Sequence, residues 1–355
     1  MKKSLRIRRI LFIAALAIVV LLVLAISPRR NPKIPKMRRV KGINSLITNQ
    51  MSDSLGLEKL DRDINTFMQR WWIRGLSLSV MRGDSLLYAK GYGKADENRE
   101  MGPGNIMRIA SISKLLTAAG IMKLQEEGKL HLSDKVFGPS GILCDEAYTE
   151  AIKEKAYFDI TVEQLLRHES GLSIRRGDPM FITRDIMHIY HLEKAPDQET
   201  LVRLMLQRRL GYKPGTSRQY SNFGYLLLSM IIEKLTGEEY EKWMQKNLLE
   251  PAGCVDMHLA HNYYKNRYPN EVRYYMQDND PLVPEYTNSG DSVVRCYGGS
   301  NVRGLSGAGA WVASTPELAR FVSSINGHPG VPDILSKKSV RAMTVWHENH
   351  KYALG

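Results

Sequence analysis

A serine and a lysine stand three residues apart at the head of an apolar run, in "RIASISKLLTAAG" at residues 108–120. On a helix, Ser111 and Lys114 would share one face. A serine hydroxyl is a weak nucleophile until an adjacent base takes its proton, and a lysine does so when burial lowers its pKa. At a helix start, backbone N–H groups would also face a developing oxyanion. The alternative is an ordinary helix cap beside a solvated lysine, and these residues alone do not decide.

A second set of candidate catalytic residues is Tyr220-Ser221-Asn222, which precedes a long apolar stretch in "KPGTSRQYSNFGYLLLSMIIEKLTG". A phenol beside Lys114 would share proton transfer, and the amide of Asn222 would hold both the lysine and a substrate amide. The spacing Y-x-N is weak by itself, since residues 264–266 and 286–288 match it too. Tyr220 alone combines a preceding Pro-Gly-Thr turn with a long helix after it.

Taken together, four segments give a specific resemblance: "RIASISKLLTAAGIMKLQEEGKLHLSDKV", "ITVEQLLRHESGLS", "KPGTSRQYSNFGYLLLSMIIEKLTG" and "GAGAWVASTPELARFVSSING". In this order and spacing they resemble the serine β-lactamase and penicillin-binding superfamily, nearest its class C β-lactamase, D-stereospecific peptidase and esterase branch. The resemblance runs from about residue 57 to the end. It implies an α+β fold, with an antiparallel sheet covered by helices on both faces and an all-helical subdomain.

The resemblance also implies roles for matching residues. Ser111 would be the acylated nucleophile, Lys114 its activating base and Tyr220 the partner in proton transfer. Whether the lysine or the tyrosine is the base stays open within this superfamily. Asn222 would orient substrate and lysine, and the backbone N–H of Ser111 would form half of the oxyanion hole. No cofactor and no metal are implied, and the expected substrate is a D-amino-acid peptide such as a cell-wall peptide, a β-lactam or a small ester.

One family feature is not matched. Members carry a third motif, Lys-Thr-Gly or His-x-Gly, on a strand that also donates the second oxyanion N–H. "HPG" at residues 328–330 has the letters but lies in a loop between two helices, so we reject it. Family members continue past a segment like "KYALG" at residues 351–355. We therefore expect a truncated chain lacking the last strands and helix, with weak or absent activity. The alternative is an inactive penicillin-binding-like relic.

Around these residues, the pattern predicts two strands followed mainly by helices. "LEKLDRDINTFMQRWW" has the period of an amphipathic helix, and "GLSLSVMRGDSLLYAKGYG" is typical of a β-hairpin. The chain from about 108 to 250 is predicted to be mostly helical, with residues 222–250 as one helix. The stretch 255–300 is expected to be irregular, and helices return in "PELARFVSSING" and "SKKSVRAMTVW". No convincing later strand is predicted, although an isolated hairpin is only marginally stable.

The charge of this 355-residue chain is concentrated at one end. Its formal net charge is +13, yet the first 41 residues hold twelve Lys or Arg and no Asp or Glu. The other 314 residues carry 38 basic and 37 acidic side chains, a net charge of +1. A near-neutral domain offers no electrostatic footprint for nucleic acid, so we expect no nucleic-acid partner.

The same end of the chain carries an apolar run, Ile10 to Ile26, behind a basic flank at residues 1–9. Seventeen residues reach roughly 25 Å as a helix, which suits an uncleaved membrane anchor or an export signal. Residues 27–45 are then interpreted as a basic, Pro-rich tether and residues 46–355 as the hydrolase domain. We expect a cell-envelope protein, anchored with its domain on the periplasmic side, or secreted if the signal is cleaved. The sequence leaves the oligomeric state open.

Other candidate sites are weaker. Cys144, Cys254 and Cys296 have no CxxC spacing, so at most one disulfide and no metal site are expected. No G-x-S-x-G is present, and "HENH" at 347–350 is one residue short of H-E-x-x-H. His168 is interpreted as a structural loop residue, and the tyrosines between 263 and 297 as packing and surface residues.

Overall fold

A computed structural model describes residues 42–53, 55–277, 279–328, 333–344 and 353–354. The apolar run at residues 10–26 lies outside this part. Among the helices of the described residues, none combines the length and apolar character needed to cross a bilayer.

The first predicted helix and most later ones are present, with one correction. The α-helices are α1 (Asn49–Asp53), α2 (Glu58–Arg70), α3 (Ser113–Glu126), α4 (Glu146–Ala151), α5 (Val162–Leu166), α6 (Thr183–Ile189), α7 (Gln198–Leu206), α8 (Asn222–Thr236), α9 (Tyr240–Met244), α10 (Thr315–Ser323) and α11 (Lys337–Thr344). Predicting one helix over 222–250 was wrong, because Gly237 ends α8 in a left-handed conformation at φ 69°. A short α9 and a π-helical turn at Gln245–Leu249 follow.

The strands form three small antiparallel sheets among the described residues. They are β1 (Gly75–Arg82), β2 (Ser85–Gly93), β3 (Met107–Arg108), β4 (His258–Leu259), β5 (Val283–Pro284), β6 (Ser292–Val293) and β7 (Trp311–Ala313). β1 and β2 form the predicted hairpin, β7 lies between β3 and β4, and β5 pairs with β6. The expectation of no later strands was therefore wrong. Strands of two or three residues are too short to show an alternating pattern.

Helices cover both faces of the β1–β2 hairpin, as the family resemblance implies. Leu76 lies opposite Tyr92, and the Tyr92 hydroxyl donates to the Asp61 carboxylate of α2 at 2.7 Å. The next residue of β1, Ser77, points to the other face, where its hydroxyl bonds Thr315 of α10 at 2.8 Å. The fold is therefore α+β, with α2 and α10 on opposite sides of this sheet.

The main core surrounds α8. Its residues Tyr225, Leu226, Leu227, Leu228, Ile231 and Ile232 are fully buried. This explains its nearly continuous apolar sequence, since a helix buried on all sides shows no polar face. α3, α5, α9 and a 3₁₀ helix at Arg303–Ala308 all pack against α8. The two segments that carry the candidate site residues therefore belong to one packed unit.

Candidate active site

Ser111 lies in a 3₁₀ turn, Ala110–Ile112, directly before α3. Its position is set by the small β3–β7–β4 sheet. The N–H of Ile109 donates to the Trp311 carbonyl at 3.0 Å, and the Trp311 N–H donates to the Ser113 hydroxyl at 3.2 Å. Ala110 takes a left-handed φ of 46°, a conformation that costs free energy in a residue with a Cβ. The surrounding contacts hold this turn so that the Ser111 side chain is exposed.

Lys114 is buried one turn further on, only 1% exposed. Its Nζ donates to Asn222 Oδ1 at 2.7 Å and to the Ala308 carbonyl at 2.5 Å, and it lies 3.3 Å from Ser111 Oγ. Burial lowers the pKa of Lys114 to about 8, although the negative charge of Asp178 opposes this shift. A substantial fraction of this amine is therefore neutral near physiological pH.

Tyr220 closes the group from the opposite side. Its hydroxyl donates to Ser111 Oγ at 2.7 Å, and its ring centroid lies 4.8 Å from Lys114 Nζ. The side chain is 37% exposed, so it borders solvent rather than the core. The four predicted residues Ser111, Lys114, Tyr220 and Asn222 are thus brought into one hydrogen-bonded cluster.

The start of α8 holds Tyr220 and Asn222 in place. The Ser221 side chain accepts the Gly224 N–H at 3.0 Å and caps the helix, while the Ser221 N–H donates to His168 Nδ1 at 3.2 Å. The His168 ring packs against Tyr220, with ring centroids 4.5 Å apart. Burial lowers the pKa of His168 to about 3, with the Lys114 charge adding to the shift, so the imidazole is neutral. Through the Ser221 hydrogen bond and the Tyr220 packing, His168 supports the start of α8, which agrees with its interpretation from the sequence as a structural loop residue.

Two members of the cluster carry no motif signal. Asp178 accepts from Asn222 Nδ2 at 2.7 Å, and the Ala308 carbonyl accepts from Lys114. Asp178 stands in an unremarkable Gly-Asp-Pro loop, and a backbone carbonyl has no side-chain identity at all. Tertiary contacts alone bring both to the lysine, so no local pattern would have found them.

The remaining candidates lie elsewhere. His328 is exposed in the loop after α10, and its N–H donates to Asn326 Oδ1 at 2.7 Å, whereas the other two residues of "HPG" lie outside the described residues. The cysteines Cys144, Cys254 and Cys296 are all free thiols. Within the described ranges, no group of three or more His, Cys, Asp or Glu side chains could hold a metal ion.

The family described as Beta-lactamase matches residues 60–355. Penicillin-binding protein 4* of Bacillus subtilis (strain 168) is 28% identical over 265 residues, which cover 72% of this chain and 53% of that protein. Protein flp of Staphylococcus aureus (strain COL) is 28% identical over 235 residues, which cover 64% of this chain and 44% of that protein. The chain therefore spans about half the length of the curated relatives it matches.

Solved structures show the same fold. The octameric penicillin-binding protein homologue from Pyrococcus abyssi has a TM-score of 0.57 at 26% identity, covering 82% of this chain and 60% of the other. The D-amino acid amidase from Ochrobactrum anthropi SV3 has a TM-score of 0.57 at 23% identity, covering 77% and 70%. At that identity, the second likeness concerns the fold alone.

Proposed function

Because the chain belongs to the Beta-lactamase family, we propose that it is a serine hydrolase that forms an acyl-enzyme on Ser111 from an amide or ester substrate. The observation that carries this proposal is the arrangement around Lys114 Nζ. Two short hydrogen bonds, to Asn222 Oδ1 and the Ala308 carbonyl, engage two N–H groups of the amine. A neutral amine has only two N–H groups, so its lone pair then faces Ser111 Oγ. This is the geometry of a general base.

Lys114 is thus assigned as the base in acylation. Ser111 Oγ transfers its proton to Lys114 Nζ and bonds to the substrate carbonyl carbon, and the carbonyl oxygen takes up the negative charge. Collapse of this intermediate breaks the bond to the leaving amine or alcohol. The Tyr220 hydroxyl protonates that leaving atom, and the Lys114 ammonium returns a proton to the Tyr220 oxygen, so both groups regain their starting protonation states. Water then attacks the ester by the reverse route.

Stabilisation of the oxyanion is assigned to the backbone N–H of Ser111. This group precedes α3, whose first turn directs N–H dipoles toward the same end of the helix. Stabilisation of charge by positioned donors is commonly the largest single contribution to such reactions. Asn222 is assigned to orient Lys114, and its second N–H is directed to substrate.

Three substrate classes fit this chemistry: D-amino-acid peptides, β-lactams and small esters. Each presents an acyl carbon to one nucleophile. The name of one relative, penicillin-binding protein 4*, supports the β-lactams. A panel of the three classes, assayed with the full chain, ranks them by kcat/KM.

Active-site labelling tests the proposal. A fluorescent fluorophosphonate, which loses fluoride when Ser111 Oγ bonds phosphorus, and a fluorescent penicillin are each incubated with the full chain. We expect a Ser111-dependent adduct that Ser111→Ala abolishes, with mass spectrometry locating the label on the peptide that contains Ser111. Ser217→Ala, which removes an exposed serine near Tyr220, is the matched control and keeps the label. Failure of both probes to label Ser111 would contradict the proposal.

We further propose that the domain is exported and tethered by residues 10–26. The basic flank, the apolar run and the following basic tether support this assignment. Fractionation of cells expressing the full chain tests it, with N-terminal sequencing of the membrane-bound form. An N-terminus at Met1 in the membrane fraction indicates an anchor, and a new N-terminus after residue 26 indicates a cleaved signal. Recovery only from the cytosol would rule out both.

A further inference from the structure

The side-chain amide of Asn222 is held from both sides. Its Oδ1 accepts from Lys114 Nζ at 2.7 Å, and its Nδ2 donates to Asp178 Oδ2 at 2.7 Å. The other carboxylate oxygen of Asp178 accepts the Met180 N–H at 3.0 Å, so Asp178 is itself anchored to its loop. A continuous chain of hydrogen bonds therefore leads from the 178–180 loop through Asn222 and Lys114 to Ser111.

The direction of each hydrogen bond in this series is fixed, because the two polar atoms of an amide differ. Oδ1 only accepts and Nδ2 only donates, and an ionised carboxylate only accepts. With Asp178 on one side, Nδ2 must face Asp178 and Oδ1 must face Lys114. The flipped amide would place two acceptors against each other at Asp178. At Lys114 it would turn an N–H toward Nζ, where it repels the ammonium and competes with Ser111 for the lone pair of the neutral amine. Asp178 therefore selects one of two amide orientations of similar shape.

We propose that Asp178 is a positioning residue of the hydrolytic site, which locks the Asn222 amide so that Lys114 presents its lone pair to Ser111. Asp178 contacts neither Ser111 nor Tyr220 in the hydrogen bonds of the site, so it acts through Asn222. This inference rests on the proposed function of Ser111 and adds to it a residue outside the SxxK and YxN motifs.

The charge of Asp178 gives the same residue a second effect. The groups that face Lys114 are the rings of Tyr220 and Tyr225, His168, and Asp178, and the charge of Arg218 acts on His168. Of these, His168 is neutral and Asp178 is the anion. Its attraction holds the pKa of Lys114 higher than burial alone would leave it. Removing this carboxylate should therefore lower the pKa of Lys114.

The kinetic test is a double-mutant cycle on Asp178 and Asn222. The second-order rate constant for fluorophosphonate labelling of Ser111 is measured from pH 5 to 10. We expect Asp178→Ala to lower the high-pH rate by roughly tenfold or more, the scale of a lost hydrogen bond to a charged group. In an Asn222→Ala background, the same substitution should lower the rate no further, because the residue it acts through is gone. Asp185→Ala, which removes an exposed carboxylate of α6, is the matched control and should leave the rate unchanged.

A titration test needs no activity. Lysines are labelled with ¹³C at Cε, and the Lys114 signal is identified by its loss in Lys114→Arg. We expect its midpoint to move to lower pH in Asp178→Asn and to stay in place in Asp185→Asn. A structural role of Asp178, confined to the Met180 contact, would not move this midpoint.

The outcomes separate the two proposals. An equal rate loss from Asp178→Ala with and without Asn222, or a Lys114 midpoint unchanged in Asp178→Asn, overturns the role of Asp178. If Ser111 of the unmodified chain is never labelled, the proposed function fails, and the titration still decides whether Asp178 acts on Lys114.

Discussion

The groups in contact with Lys114 Nζ are neutral hydrogen-bond acceptors, and none of them is a carboxylate. They are an amide oxygen, a backbone carbonyl and a hydroxyl. Asp178 reaches it only through the Asn222 amide. A carboxylate in direct contact would hold the lysine proton firmly, whereas neutral acceptors in a buried site leave desolvation as the dominant effect on its pKa. One interposed amide thus keeps this amine able to act as a base.

The first prediction follows from that pKa of about 8. Only the neutral amine accepts the Ser111 proton, and its fraction grows as pH rises through 8. We expect kcat/KM, or the labelling rate, to rise about tenfold per pH unit below this midpoint and to level off above it. A stopped-flow or discontinuous assay from pH 5 to 10 measures the profile.

Two variants control this profile. Lys114→Arg keeps a cation that never loses its proton, so the rate should fall at least about a hundredfold. Lys123→Arg makes the same change on the same helix, at a half-buried position away from the cluster, and should leave the profile unchanged. A flat profile in the unmodified chain would rule out Lys114 as the titrating base.

Among the elements, those with a long periodic pattern were predicted, whereas the strands of two or three residues were not. The β1 sequence alternates apolar and polar residues at 76–80, so the hairpin could be predicted, although its pairing contains a register shift between Val80 and Met81. β7 has three residues, all buried, and its strand conformation comes from pairing with β3 and β4. The break at Gly237 was missed because both flanking segments are helical and their apolar spacing continues across it.

The same distinction applies to the site. Ser111, Lys114, Tyr220 and Asn222 could be proposed from two short motifs, since each motif fixes a pair of side chains on one local element. Asp178 and the Ala308 carbonyl could not be proposed in this way. Their positions relative to Lys114 depend on how loops pack against the helices in the folded protein. Sequence patterns therefore identify the groups that react more readily than the groups that orient them.

A second prediction concerns the 3₁₀ helix Arg303–Ala308, which brings the Ala308 carbonyl to Lys114. A Cβ on Gly307 would lie 2.7 Å from Thr117 Oγ1 and 3.1 Å from the Tyr225 carbonyl. Gly307→Ala should therefore push this helix away from α3, destabilise the fold by roughly 1–3 kcal/mol and slow Ser111 labelling. Thermal unfolding and labelling rates measure both effects.

The control for this prediction is Gly102→Ala. The nearest atom to its new Cβ would be Asn105 Oδ1 at 3.6 Å, an ordinary contact. Stability and labelling should stay close to those of the unmodified chain. If Gly307→Ala leaves both quantities unchanged, the close approach of this helix to α3 is not required.

A third prediction concerns the junction of α10 with the loop after α9. Glu317 is fully buried, and burial raises its pKa to about 7. The N–H groups of Val255 and Asp256, which donate to Glu317 Oε1 at 2.8 and 3.0 Å, oppose this shift. Because the folded-state pKa lies above the unfolded value of about 4.5, its stabilising contribution is complete below that value and is lost as pH rises through 7.

Glu317→Gln tests this linkage. A glutamine oxygen still accepts both N–H groups but never ionises. We expect the stability of the unmodified chain relative to the variant to fall by roughly 3 kcal/mol between about pH 4.5 and 8. Thermal unfolding at closely spaced pH values measures the difference. Glu250→Gln at an exposed position is the control, and a parallel pH dependence in the unmodified chain and the Glu317→Gln variant would contradict the assignment.

At the scale of the whole molecule, the charge falls into two parts. The first 41 residues carry twelve basic and no acidic side chains, while the remainder has a net charge of +1. A near-neutral domain has little long-range attraction for an anionic surface, whereas a run of basic side chains next to an apolar segment binds acidic lipids. Any preference for anionic membranes should therefore come from the first part alone.

The last prediction tests this division with the full chain. Each Lys or Arg held near an anionic bilayer contributes about 1 kcal/mol. Replacing five such residues of the tether, Lys33, Lys36, Arg38, Arg39 and Lys41, with Gln should reduce the preference for phosphatidylserine over phosphatidylcholine vesicles at least about tenfold. Hydrolysis of a soluble ester should not change, because the charges around Ser111 are untouched.

The matched variant replaces five exposed cations of the domain, Lys153, Arg176, Lys194, Lys213 and Lys265, with Gln. This variant leaves the basic run beside the apolar segment intact, so the vesicle preference should stay nearly the same. Co-sedimentation with vesicles measures both variants at low and high salt. Raising the salt should weaken binding of the unmodified chain to phosphatidylserine, because exposed charges are screened within about 10 Å at 0.1 M. Equal losses in the two variants would instead show that the domain surface shares in membrane attraction.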